Sequence, residues 1–183
     1  MSAIDRSAWI EVGLPEIASN IAAVQEWVGP NTEVMAVVKA NAYGHGLVPA
    51  ARAAIRGGAA ALGVALIEEG VELRTSGISN PIIVLGSILP DQSKSLLSAN
   101  LSQTVSNLEV IEELSETALR MGTTARIHLK IDTGMGRMGI SPDETESLLH
   151  DIERMPGLEL EGITTHIAWE LPEDLEKINN QIE

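Results

Sequence analysis

Phenylalanine and cysteine are absent from this 183-residue chain, tyrosine occurs once and tryptophan three times. With so few rings, a core has to be assembled from Ala, Val, Ile and Leu, and a hydrophobic content of 44% supplies enough of them. The missing cysteines exclude disulfides, thiolate metal sites and a thiol nucleophile. Cations are scarce beside anions: 12 Lys and Arg stand against 26 Asp and Glu, a net charge of −14. Nucleic acid and anionic membrane surfaces would both repel such a chain and are not expected as partners. The acid is scattered over helix faces and forms no tail, so it reads as solubility. Long apolar runs are missing too. Ala59–Ile67 is the longest, far short of the ~20 residues that span a bilayer. Met1–Arg6 carries an acid early and no apolar stretch, so no secretory signal is expected and the cytoplasm is the expected location.

What is present is an alternation. Val34–Val38 is a continuous apolar run, as in a strand buried on both faces. Similar runs occur at Ala61–Val64, Ile82–Leu85, more weakly Leu101–Val105, then Arg126–Ile131 and Leu160–Thr165. Between them lie helical patterns. Leu14–Val28 carries Ile17, Ile21, Val24 and Val28 on one stripe, while Ile67–Ser76 and Leu108–Met121 stop at Gly77 and Gly122. Ser141-Pro142-Asp143-Glu144 reads as an N-cap, a proline at N1 and a glutamate at N3, opening a helix toward Arg154. Leu171–Glu183 reads as one more helix.

Strand, helix, strand, helix predicts a parallel α/β fold, and the spacing suits the βα period of a (β/α)8 TIM-type barrel. A doubly wound open sheet is the structural alternative. Six strands are readable where a barrel closes with eight, so the expectation is one domain over residues 1–183 that ends after about six βα units.

In a parallel barrel the chemistry collects at the C-terminal ends of the strands. The first strand ends in Lys39, the fifth runs into Asp132-Thr133-Gly134-Met135-Gly136-Arg137, and the sixth ends in His166. A lysine closing a buried strand is desolvated, which makes its amine nucleophilic toward a carbonyl; the plain alternative is a surface lysine. In the fifth strand Ile127, Leu129 and Ile131 alternate with His128, Lys130 and Asp132, so the polar set points into the barrel. Barrel interiors are normally aliphatic, and an interior cation at Lys130 needs a carboxylate, a phosphate or a chemical modification. A simple Lys130–Asp132 network would also serve. His128 and Asp132 are two metal-ligating types without a third.

Gly134-Met135-Gly136-Arg137-Met138-Gly139 matches G-x-G-x-x-G after a strand. Helix start signals, however, come only at Ser141 and Pro142. A dinucleotide fingerprint needs the helix to open within the motif, so a nicotinamide cofactor is not expected.

Three segments, in this order, resemble the signatures of the alanine racemase family: Ala36-Val37-Val38-Lys39-Ala40-Asn41-Ala42-Tyr43-Gly44-His45-Gly46, His128–Gly139, and Gly162-Ile163-Thr164-Thr165-His166. The resemblance runs from about Trp9 onward, includes Glu68–Arg74, and covers the first half of a typical member. It implies a pyridoxal 5'-phosphate-dependent isomerase, a homodimer that interconverts L- and D-alanine and supplies D-alanine for peptidoglycan. By the same resemblance Lys39 would form the internal aldimine and serve as one of two α-proton bases, and Tyr43 would bond the cofactor phosphate. Arg137 would lie beside the cofactor's phenolic oxygen and near the substrate carboxylate. Lys130 would be N-carboxylated and orient Arg137, and His166 would lie against the pyridine ring. The second base, a tyrosine of a C-terminal β-domain, is outside these residues. Gly13 departs from the family's usual Asp, and Ile167-Ala168-Trp169-Glu170 departs from its usual loop. Another amino-acid racemase of the same fold, a non-catalytic pyridoxal-phosphate-binding barrel, and a partial chain without activity are the alternatives.

Overall fold

Runs of branched aliphatic residues become strands with one face against the helices and the other toward the barrel interior. The first of them, Met35–Val37, is buried on the helix side alone: Ala36 is buried while Met35 and Val37 are exposed, against the expectation of burial on both faces. The computed structural model describes residues 8–168, 178–179 and 181. Its elements alternate: α1 (Leu14–Val28), β1 (Met35–Val37), α2 (Lys39–Tyr43), α3 (Leu47–Arg56), β2 (Ala61–Val64), α4 (Ile67–Thr75), β3 (Ile82–Val84), α5 (Ser93–Ser98), β4 (Ser102–Val105), α6 (Leu108–Met121), β5 (Ala125–Lys130), α7 (Thr145–Glu153) and β6 (Leu158–Thr164). The strands form one sheet in chain order, each parallel to the next. Sequential order without reversal decides between the two expected architectures, because a doubly wound sheet has a switch point where the order turns back. The fold is the TIM-type barrel, represented by six strands. The helix expected over Leu171–Glu183 lies outside the described residues except for positions 178–179 and 181, and Met1–Arg6 lies outside them altogether.

The core fills the space between sheet and helices. Leu62, Leu73, Leu96, Ile111, Leu114, Ile127 and Leu129 are fully buried, each contributing about 1.5–3 kcal/mol relative to exposure. Helix α3 has no leucine stripe to announce it. Its buried residues are Leu47 and then Ala50, Ala51, Ala53 and Ala54, and α1 approaches so closely that a Cβ at Gly57 would strike the Ala18 backbone. Helix α7 begins one turn later than Ser141-Pro142 suggests. A 3-10 turn over Pro142–Glu144 comes first, with the Ser141 N–H donating to Glu144 Oε2 at 3.0 Å. Gly13 is the N-cap of α1 and, lacking a side chain, leaves it without a side-chain cap. Among the described residues no helix is long and apolar enough to cross a membrane.

Strand β5 is buried at every second residue, with Ile127 and Leu129 toward the helices and Arg126, His128 and Lys130 half-buried on the barrel side. Its register with β6 slips at Ile127/His128, which makes Glu161 the extra residue of a bulge. The Glu161 carboxylate accepts the Ser102 hydroxyl at 2.7 Å and lies 3.2 Å from His128 Nε2 and 3.3 Å from Arg126 Nε. The polar interior face is thus paired at its foot, leaving Lys130 as the cation nearest the strand ends.

Candidate active site

Strand β1 ends where the Val38 N–H donates to the Gly63 carbonyl of β2 at 2.8 Å. Beyond Lys39 the backbone turns left-handed: Ala40, Asn41, Ala42 and Tyr43 have φ of 54°, 56°, 51° and 53°. Each such L-residue costs about 1–2 kcal/mol, asparagine somewhat less, so the turn must be held from outside itself. Asn41 holds its far end, with its Oδ1 accepting the Leu47 N–H at 2.8 Å and its carbonyl accepting the Gly46 N–H at 3.0 Å. At its near end the Ala40 N–H donates to Glu69 Oε1 at 2.6 Å. Strained turns of this kind concentrate at functional sites, and this one carries Lys39 and Tyr43 together onto one wall.

The opposite wall comes from the end of β5. The chain leaves Lys130, loops out through the glycines and returns, so that the Asp132 N–H donates to the Ile140 carbonyl at 2.9 Å and the Ile140 N–H to the Lys130 carbonyl at 3.0 Å. Within the loop the Asp132 carboxylate gathers amides: Oδ1 accepts the N–H of Gly134 and Gly136, and Oδ2 that of Arg137, all at 3.0 Å. Those bonds, the Gly136 N–H foremost, hold its pKa below the ordinary aspartate value. Gly139, at φ 133°, passes so close to the Ile131–Asp132 backbone that no side chain fits. The glycines therefore serve a closed loop, and the first helical turn starts only at Pro142, which excludes a dinucleotide fingerprint here. Thr133 and Thr165 share a hydroxyl contact of 2.8 Å, and Thr165 also donates to the Ile131 carbonyl, which fastens the ends of β5 and β6 beside His166.

These walls enclose a cleft of about 420 Å³ at the C-terminal ends of the strands. All five side chains singled out from the sequence, Lys39, Tyr43, Lys130, Arg137 and His166, line it, above an apolar floor that includes Val37 and Leu85. None of the five side chains makes a hydrogen bond or ion pair with another described residue. Lysines 39 and 130 and Arg137 give the cleft three cations, and its one carboxylate, Asp132, is spent on amides. The Lys130–Asp132 network is therefore not formed. Burial, then the charge of Arg137, lower the Lys130 pKa below the ordinary lysine value, and Asp132 offsets this only in part. His128 belongs to the Glu161 network at the foot of the barrel, and among the described residues no group of three metal-ligating side chains occurs.

Unbonded lysine side chains, a phenol, a guanidinium and an imidazole around a cationic cleft, in a chain of net charge −14, suit a ligand that is anionic and carries a reactive carbonyl. Sequence reading missed Glu69. Its place at N3 of α4 marks it as a helix cap, but nothing local announces its bond to an amide 29 residues away. The loop departure at Ile167–Glu170 is described only to Ala168, whose N–H donates to Gln181 Oε1 at 2.8 Å.

Residues 12–183 match the family described as "Alanine racemase, N-terminal domain". An alanine racemase of Desulforamulus reducens is 46% identical over 162 residues, covering 87% of this chain and 44% of the relative. Among solved structures, alanine racemase of Clostridium difficile 630 in complex with cycloserine superposes with a TM-score of 0.90 at 31% identity, covering 98% of this chain and 50% of that one. Histidine racemase of Leuconostoc mesenteroides subsp. sake gives a TM-score of 0.87 at 30% identity, covering 98% and 48%. The chain thus spans less than half the length of the curated relative and half or less of these structures.

Proposed function

This chain belongs to the alanine racemase family, matching its N-terminal domain, and on that premise we propose that it is the cofactor-bearing barrel domain of a pyridoxal 5'-phosphate-dependent alanine racemase. The observation that carries this reading is the convergence of Lys39, Tyr43, Lys130, Arg137 and His166 on one cleft. Pyridoxal phosphate, once bound, supplies an electron sink for the charge left when an amino acid loses its α-proton. Lys39 holds the cofactor through Nζ and takes or returns the α-proton on its own face. Tyr43 donates its hydroxyl to the phosphate. Arg137, a donor with no accepting atom, meets the cofactor's phenolic oxygen and the substrate carboxylate. His166 would lie against the pyridine ring and help tune the base on the opposite face. Racemisation needs a base on each face. By the family resemblance the second base would be a tyrosine of a C-terminal domain, contributed by the other subunit of a homodimer, while the single tyrosine here, Tyr43, is placed at the phosphate.

Lys130 fits N-carboxylation. Its lowered pKa raises the fraction of free amine, and a free amine adds to carbon dioxide with release of one proton to leave a carbamate. The product is an anion facing Arg137, and it turns three lining cations into two with a counter-ion. In ¹³C-bicarbonate the protein is expected to show a carbamate resonance that Lys130→Ala removes. A resonance unchanged by that substitution refutes the assignment.

The test of function is racemisation of L-alanine by the full-length protein, with borohydride reduction of the cofactor complex and peptide mapping. Alanine turnover with a reduced adduct on Lys39 is expected, and no adduct in a folded protein would refute the reading. The likeness to a histidine racemase supports a second substrate reading, and turnover of histidine in preference to alanine would select it.

A further inference from the structure

Four consecutive left-handed residues follow Lys39, and the far end of that turn is tied down by Asn41. The end next to the lysine is held from another βα unit. Glu69, on α4, accepts the Ala40 N–H on Oε1 at 2.6 Å, while its Oε2 accepts the Ala65 N–H at 2.8 Å and the Leu66 N–H at 3.2 Å. A single carboxylate therefore ties the turn after β1 to the end of β2. Ala40 is the residue directly after Lys39, so its φ and ψ decide how the turn leaves the lysine.

We propose that Glu69 is a positioning residue: its carboxylate pins the Ala40 amide in the left-handed region and so fixes the direction in which Lys39 enters the cleft. The proposal rests on the reading of Lys39 as the cofactor lysine. An amide in place of the carboxylate does not do the same work. Glutamine has one accepting oxygen, and its NH2 would face N–H donors, so either orientation leaves Ala40 or the Ala65–Leu66 pair without an acceptor. Once unpinned, Ala40 relaxes toward right-handed or extended backbone, and the Lys39 amine is spread over more directions.

The experiment compares Glu69→Gln with Glu68→Gln, a change at the exposed neighbouring residue, in the full-length protein. Amide exchange at Ala40 and the rate of borohydride-trapped pyridoxal phosphate attachment at Lys39 are measured, with circular dichroism to confirm folding. Only Glu69→Gln is expected to speed Ala40 exchange and to slow Lys39 capture by about tenfold, the scale of one lost charge-assisted hydrogen bond. Adding Ala40→Gly to Glu69→Gln is expected to restore part of the capture rate, because glycine takes positive φ without steric cost. A role confined to capping α4 would not respond to a change at Ala40. Wild-type Ala40 protection in folded Glu69→Gln, or capture equal to that of Glu68→Gln, would overturn the proposal. If Glu69→Gln does not fold, Glu69→Asp is decided by the same outcomes, since it keeps the charge at α4 but is one methylene too short to reach Ala40. If the wild type takes no cofactor at Lys39, the proposed function fails, and Ala40 exchange alone then decides whether Glu69 pins the turn.

Discussion

Lys39→Ala is expected to abolish covalent attachment of pyridoxal phosphate while leaving the fold intact. The two halves of that expectation have separate causes. The Lys39 side chain ends in the cleft and makes no hydrogen bond or ion pair with a described residue, so its removal deletes the amine nucleophile and breaks no such bond. Stability is expected to change by no more than about 0.5 kcal/mol, as for a surface substitution. Racemisation is expected to fall by roughly 10³-fold or more, the scale lost with a covalent catalytic group. An unchanged visible spectrum with cofactor, or a borohydride adduct that maps to another lysine, would sink the assignment.

Asp132→Asn is expected to disable the site from a distance. The carboxylate bonds the amides of Gly134, Gly136 and Arg137 with both oxygens, whereas asparagine offers one oxygen and an NH2 that faces a donor. The Arg137 backbone is then released, and a shift of about 1 Å in a positioning group costs on the order of 10²-fold in kcat/KM. Because Arg137 is read as the carboxylate binder, KM for alanine should rise along with the fall in kcat. Steady-state kinetics on the purified variant check this, and kcat/KM within a few-fold of wild type would refute it. The pH dependence follows from the same bonds. The folded-state pKa of Asp132 lies below the ordinary value, so its contribution to stability is complete above that ordinary value and is lost as pH falls through the lower, folded one. Acid melts of the wild type and Asp132→Asn should therefore converge only at strongly acid pH.

Much of the architecture could be read from local pattern. Leu14–Val28 and Leu108–Met121 are helices over the expected residues. In the second, apolar spacing states the buried face and Gly122 the stop, whereas in the first the expected stripe is only half-buried at Ile17, Ile21 and Val28 and Val24 is exposed. The β5 alternation placed Lys130 inside the barrel, since side chains in a strand must point to opposite faces. Helix α3 was not legible: alanine lies at helical spacing there, but alanine also fills loops and strands, and only contact with α1 shows why small residues are needed. The late start of α7 was not legible either, because a proline and two acids suit a 3-10 turn as well as an α-helix.

For the candidate site the division is sharper. Strand-end position and residue type nominated Lys39, Lys130 and His166, and the family resemblance added Tyr43 and the role of Arg137; a parallel barrel gathers such strand ends on one face, and all five line one cleft. The sequence by itself also determined the barrel's raw materials: aliphatic strands, helix stops and a loop whose glycines admit positive φ. Only the tertiary structure decided which groups are spent and which are free. Asp132 turned to backbone amides instead of Lys130, His128 turned to Glu161, and Glu69 reached across to Ala40. Hydrogen bonds between residues tens of positions apart depend on strand register and loop closure, and those are settled by the packing of the whole sheet, which no local window of sequence contains.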